Sequence, residues 1–340
     1  MGKIILGIVG LGYWGPNLLR NFTQLNEARV KVCCDLDEHI LKKTQEQYPE
    51  IEITNNYEIL LQDPEINAIV LAISAPHHYN LAKQAILHKK HVFVEKPLTL
   101  EVSHAEELLI LSQQNNVKLM VGHLMEYHPA IEKIKQMIQS DELGDIYYLY
   151  SQRVNLGRIR SDENALWSLA PHDISIIMYL LESEPISVSA RGEAYLQDGV
   201  EDVVFLDMFF PNKVMAHVQL SWLDPHKIRK TTIVGSKKMV VFDDMDPSEM
   251  IRIYDKGVTN NQTYGSFSES LALRFGDVTI PHIKVVEPLR LECQHFIDCI
   301  KNDKQPRSDG KDGLRVVKVL QFAQESLTKG GIPIKIGDKI

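Results

Sequence analysis

Apolar runs recur along the first third of the chain at 4–9, 29–34, 68–73, 91–95 and 117–121. Runs of this length dominated by apolar residues predict strands buried on both faces, as in a parallel sheet covered by helices. Amphipathic stretches separate them. The stretch at 100–114, for example, places Val102, Ala105, Leu108, Leu109 and Ser112 on one helical face. Strand and helix alternating over 1–122 predict a doubly wound α/β domain of Rossmann type, with ligands at the carboxyl ends of its strands.

Beyond residue 123 the rhythm changes. A helix is predicted from Pro129, with Ile131, Ile134 and Ile138 on its buried face, then a long strand at 146–155 and a helix at 171–181. β-rich segments at 186–195, 202–210, 213–223, 228–235 and 238–243, joined by turns such as Pro211-Asn212-Lys213, predict a mainly antiparallel sheet. The stretch 255–285 is poorly periodic and rich in Asn, Ser, Thr and Gly, and reads as a loop at a substrate mouth. Helices at 287–302 and 310–328 and a strand at 332–336 close the chain. Residues 123–340 are thus predicted to form a second domain, α+β with a large antiparallel sheet.

Composition narrows the field. A chain of 340 residues, 44% of them hydrophobic, can bury a full core, and its length suggests two domains or one large one. Its net charge of −8 argues against a nucleic-acid partner. The first residues enter a strand directly, with no basic flank or small-residue cleavage site, and no apolar run approaches ~20 residues. Neither a secretory signal nor a membrane span is expected, and the protein reads as cytoplasmic. Cys33, Cys34, Cys293 and Cys299 read as ordinary core thiols. The thirteen histidines are scattered without ligand spacing, so no metal is expected.

Candidate chemistry begins where the first strand meets Gly10-Leu11-Gly12-Tyr13-Trp14-Gly15 and a helix opening at Pro16. Gly10 lets the chain turn, Gly12 lets a pyrophosphate approach the backbone, and Gly15 lets the helix pack on the sheet. Asp35 ends the second strand, where a carboxylate receives an adenosine ribose. NAD is expected over NADP, because a 2′-phosphate would meet Asp35 and Leu36 supplies no cation. Lys96, in Glu95-Lys96-Pro97 after a parallel strand, is placed to hold a hydroxyl and stabilise the oxyanion that develops as hydride leaves carbon. Arg153, Arg158 and Arg160 form a cationic group that reads either as a phosphate site or as arginines paired with Asp162 and Glu163.

The glycine turn, the segment His91-Val92-Phe93-Val94-Glu95-Lys96-Pro97, Gly122-His123 with Pro129, and Trp167-Ser168-Leu169-Ala170-Pro171-His172-Asp173 resemble the glucose–fructose oxidoreductase, inositol dehydrogenase and rhizopine catabolism superfamily. The resemblance runs essentially end to end. Within it, Arg153-Val154-Asn155-Leu156-Gly157-Arg158-Ile159-Arg160 and Ser221-Trp222-Leu223-Asp224-Pro225-His226-Lys227 are most similar to members that oxidise nucleotide sugars, such as UDP-N-acetylglucosamine 3-dehydrogenases. The resemblance implies that Lys96 and His172 act on a substrate hydroxyl, with histidine as the base. It also implies that Tyr13, Trp14, Ser74, His78 and Glu95 lie with the cofactor, and Asn155, Trp167 and Asp173 with the substrate. One departure stands out: the acid expected four residues before the histidine is Ser168. The activity implied is NAD-dependent oxidation at C3 of a UDP-linked acetamido sugar by a homodimer or homotetramer. The alternatives are oxidation of a free sugar or inositol, and a non-catalytic dinucleotide sensor.

Overall fold

The computed structural model describes residues 2–157, 159–161, 163–260 and 271–337. They divide into two compact units. In the first, strands β1 (Ile4–Val9), β2 (Ala28–Cys34), β3 (Glu52–Thr54), β4 (Ala68–Leu71), β5 (His91–Val94) and β6 (Leu119–Val121) form one sheet of order β3-β2-β1-β4-β5-β6. All its pairings are parallel. Helices α1 (Gly15–Thr23), α2 (Glu38–Gln47), α3 (Tyr57–Gln62), α4 (His78–Leu87) and α5 (Val102–Gln114) make the crossovers. Successive strand residues serve opposite faces. Leu6, Ile8, Val70 and Phe93 share a core with Leu18 and Phe22 of α1, and Ile69, Leu71, Val92 and Val94 share another with Leu60, Ala82 and Leu108. The Rossmann expectation holds, with one strand added: β3 is a three-residue edge, too short to show a pattern.

The second unit carries α6 (Pro129–Gln139), β7 (Ile146–Val154), α7 (Ala165–Leu181), β8 (Ser187–Glu193), β9 (Val203–Phe209), β10 (Met215–Ser221), β11 (Ile228–Gly235), β12 (Met239–Asp243), β13 (Ile251–Asn260) and β14 (Leu271–Thr279). With β15 (Ile334–Lys335) from the end of the chain, its strands form a nine-stranded sheet of order β14-β13-β12-β11-β7-β10-β9-β8-β15. Only β7 and β10 pair in parallel. Helix α7 packs on β7, β9 and β10, burying Leu166, Ala170, Ile174 and Ile177. Two expectations change here. Helix α7 begins at Ala165, not at Pro171: Asn164 caps it by accepting from the Trp167 amide at 3.2 Å, and Pro171 lies inside, unable to donate to the Trp167 carbonyl. Much of the stretch read as a loop over 255–285 is strand, since β13 pairs antiparallel with β14. Val258, Leu273, Phe275 and Val278 are exposed there, so the half-buried alternation that marks a strand is missing.

Helices α8 (Pro288–Lys301) and α9 (Gly310–Thr328) correct the domain boundary. The first unit is Met1–Tyr127 together with Val286–Lys318, and the second is His128–Val285 with Val319–Ile340. Residues 286–318 were expected in the second domain. They join the first because α8 buries Leu289, Cys293, Phe296 and Ile297 in the core that holds α1 and β1. Phe22, Phe93 and Phe296 meet there edge to face, with centroids 5.7–6.4 Å apart. All four cysteines are buried and free, as expected of core thiols. No helix among the described residues is long and apolar enough to cross a membrane.

Candidate active site

The glycine turn is built as its spacing requires. Gly10 has φ of +88°, and a Cβ there would lie 2.5 Å from the Ala72 carbonyl oxygen. A Cβ on Gly15 would overlap the Gly10 carbonyl, whereas one on Gly12 would meet no protein atom within 4 Å. The backbone at position 12 is therefore open to the close approach of a pyrophosphate. Helix α1 has no side-chain cap and no acid in its first turn, which suits an anion at its N-terminus. Asp35 accepts from the Leu11 amide at 2.6 Å and from the Asp37 amide at 2.9 Å, tying the end of β2 to the turn. Tyr13 is 88% exposed beside it.

Glu95 and Lys96 follow β5 directly, at the ligand end of the parallel sheet. The Glu95 carboxylate accepts from the Lys96 amide at 3.3 Å and from the Trp14 side chain, which belongs to the glycine turn. Burial pushes the Glu95 carboxyl up to about 7, against the opposing pull of Lys96 and these hydrogen bonds. Ser74 is exposed at the loop after β4. His78 is the other residue expected with the cofactor. Its ring is buried, with Nδ1 2.7 Å from the Pro97 carbonyl and Nε2 3.0 Å from that of Ile73; burial lowers its pKa, and the neutral ring donates to one of these carbonyls at a time.

In the second unit Ser168 and His172 stand four residues apart on α7 and so share a face; both are partly buried. Asn155 follows β7, its amide donating to the Ser221 carbonyl at 3.0 Å. The Trp167 indole donates to Gln324 at 3.1 Å, and the buried Asn164 amide donates to Gln324 at 2.9 Å and to Glu201 at 2.5 Å. Of the three arginines, the two among the described residues are each paired with an acid. Arg153 is buried and paired with buried Asp173, Nε to Oδ2 at 2.5 Å, and Ser151 donates to the same carboxylate at 2.6 Å. Two expected substrate residues are thus bound to each other, an arrangement typical of buried charges, which must be paired. Arg160 pairs with Glu163. Arg158 and Asp162 lie outside the described residues. Trp222 is core, its indole donating to buried Asp202 at 2.7 Å.

Sequence spacing did not reveal a polar cluster inside the first unit. His123 Nδ1 donates to Asp312 at 2.6 Å and lies 3.5 Å from Glu126 Oε1; all three are buried, with one possible ligand atom of each within 4.8 Å of the others. Arg315 donates to Asp312 at 2.8 Å. Burial opposes the His123 charge, but Asp312 and Glu126 outweigh it and lift the imidazole to about 10. Burial and Asp312 raise Glu126 to about 8, and burial with Glu95 holds Glu292 well above the carboxylate range. Histidine and aspartate are 189 residues apart, so no local pattern joins them.

Residues 4–123 match the model of an oxidoreductase family with an NAD-binding Rossmann fold, and residues 131–241 match the GFO/IDH/MocA C-terminal domain. The chain is 26% identical to a UDP-N-acetylglucosamine 3-dehydrogenase of Acidithiobacillus ferrooxidans, over 74% of this chain and 76% of the relative. It is 21% identical to a myo-inositol 2-dehydrogenase of Thermotoga maritima, over 95% and 96%. A solved structure of the Acidithiobacillus ferrooxidans UDP-N-acetylglucosamine 3-dehydrogenase superposes with a TM-score of 0.80 at 21% identity, covering 97% of this chain and 99% of that one.

Proposed function

The chain belongs to the GFO/IDH/MocA oxidoreductase family, and from that premise we propose that it oxidises C3 of a UDP-linked N-acetylamino sugar with NAD, giving a 3-keto nucleotide sugar. One observation carries the hydride-transfer reading: Lys96 stands at the ligand end of β5, on a turn that Glu95 joins to Trp14 of the dinucleotide turn. When bound, NAD supplies the hydride acceptor. Lys96 then holds the substrate oxygen and stabilises the charge developing on it as the carbonyl forms. His172 takes the hydroxyl proton, and Ser168, one helical turn before it, hydrogen-bonds sugar or imidazole without adding charge.

The nucleotide-sugar assignment draws on the similarity to the Acidithiobacillus enzyme. The second reading, a free sugar or inositol, is favoured by the Arg153–Asp173 pair, which removes one guanidinium from any phosphate site and leaves Arg160 beside Glu163. Mixing the enzyme with NAD and each of a panel of UDP-sugars, free hexoses and inositols, and following NADH absorbance, separates them. Turnover of UDP-N-acetylglucosamine above the free sugars supports the first reading; a preference for inositol replaces it with the second. No NADH from any of them, with NAD bound tightly, leaves a dinucleotide sensor. A homodimer or homotetramer fits the exposed sheet face, where Tyr148, Tyr150, Phe205 and Met215 are 40–51% exposed.

A further inference from the structure

The Gly122-His123 segment has no part in the proposed chemistry, yet it leads into a polar group that hydrogen bonds within the protein leave incomplete. His123 follows β6, Glu126 sits on the short 3-10 turn Leu124–Tyr127 after it, and Asp312 lies in the first turn of α9. All three are at most 3% exposed. His123 Nδ1 lies 2.6 Å from Asp312 Oδ2 and 3.5 Å from Glu126 Oε1. Among the described residues, no other trio of His, Cys, Asp or Glu side chains offers ligand atoms this close together. Nδ1 carries one proton at most, and Asp312 takes it. Glu126 Oε1 faces the same nitrogen and has no hydrogen-bond partner within the protein. A buried carboxylate oxygen left in that position is costly, and a bound ion would satisfy it. We propose that His123, Glu126 and Asp312 hold a divalent transition-metal cation of the Zn²⁺ kind, which ties the start of α9 to the end of β6.

The spacing of the atoms fits such an ion. Zinc holds nitrogen and oxygen ligands at about 2.0–2.2 Å, so its tetrahedral ligands stand roughly 3.3–3.6 Å from one another. Nδ1 and Glu126 Oε1 already have that separation. Asp312 Oδ2 has to withdraw by about 1 Å as the cation takes the place of the hydrogen-bond proton. Arg315 donates to the other oxygen of Asp312, Oδ1, at 2.8 Å, which leaves Oδ2 turned to the imidazole and orients the carboxylate as the partners of metal ligands commonly do. Glu292, on α8, is completely buried with both oxygens unpartnered, and α8 packs against the turn that carries Glu126, so it is the further carboxylate available to the site. Ionised, Glu126, Asp312 and Glu292 carry three negative charges, which one divalent cation and Arg315 balance. Imidazole among the ligands favours zinc over magnesium or calcium, which take oxygen ligands.

The site needs neither NAD nor a sugar, so it stands or falls apart from the proposed reaction. The wild-type full chain is stripped with EDTA, dialysed against micromolar Zn²⁺ with excess Mg²⁺ present, and analysed for bound metal and thermal unfolding. It should retain one Zn²⁺ that EDTA removes, and should unfold several degrees higher with the metal than without it. Glu126→Gln and Asp312→Asn should each lose that equivalent, while His226→Gln, at a histidine 77% exposed, should keep it. Anomalous diffraction at the zinc edge from wild-type crystals locates the ion without requiring any variant of the buried group to fold. A peak between His123, Glu126 and Asp312 supports the proposal. No retained zinc, or zinc found only at surface histidines, overturns it.

Discussion

The glycine turn after β1 and the His172 face of α7 draw their support from different distances along the chain. The turn is held by Asp35, Ala72 and its own glycines, all within one or two crossovers of β1. Helix α7 depends on Arg153 for Asp173, on Glu201 for Asn164, and on Gln324, which is 160 residues from Asn164. The turn therefore keeps its form as a contiguous motif, while the α7 face exists only once distant segments have docked. Substitutions should divide accordingly, with those at the turn changing cofactor binding and those under α7 changing stability.

The largest effect is expected at Lys96, joined to the turn through Glu95. Lys96→Met should lower turnover by roughly a thousandfold, the scale of removing an oxyanion donor, with the NAD dissociation constant nearly unchanged. Near-normal turnover in that variant would end the hydride-transfer scheme. Under α7, Arg153→Met leaves Asp173 buried without its partner and should cost about 3–5 kcal/mol in denaturant unfolding, a loss typical of half-broken buried ion pairs. If instead stability holds and the Michaelis constant for a UDP-sugar rises, Arg153 reaches the substrate and the contrast between the two regions fails.

Gly12→Val sharpens the contrast from the other side. Its Cβ meets no protein atom, so thermal unfolding should stay where it is while NAD affinity drops at least about tenfold; a drop in melting temperature would show a hidden packing role. Asp35→Ser should narrow the preference for NAD over NADP, with some loss of both because the Leu11 amide loses its acceptor. Titrating both cofactors gives the ratio. The smallest change is expected at Ser168→Asp: a carboxylate one turn before His172 favours the imidazolium, so the acidic limb of the pH–rate profile should move upward, toward neutral pH, by a fraction of a unit to one unit. An unmoved limb would place the serine out of reach of the ring.

The same distances decide what could be read from the amino acids. Strand, glycines, helix and Asp35 lie within thirty-five residues, each element predicts its neighbour, and the structure has them as predicted. Pro171 misled in α7, because proline favours a first turn and the true cap, Asn164, is recognised by the amide it accepts. Arg153 and Asp173 read as substrate residues, since nothing in either segment signals that each is buried beside the other. The stretch of β13 and β14 beyond residue 255 was hidden because Val258, Leu273, Phe275 and Val278 face solvent, and the His123–Asp312 pair because its residues are 189 positions apart. Local patterns carried the cofactor half; pairings over long separations carried the rest.

The return of α8 to the first unit also bears on how the protein is made. Synthesis runs from the N-terminus at about 5–20 residues per second, so the parallel sheet is complete many seconds before Cys293 and Phe296 leave the ribosome. Until then Phe22 and Phe93 lack the aromatic partner that covers them, and the nascent dinucleotide unit shows an oily face throughout the translation of residues 128–285. A polypeptide stalled near residue 285 would be a substrate for chaperones that bind exposed apolar surface, whereas one released after residue 318 would hold every residue of that core.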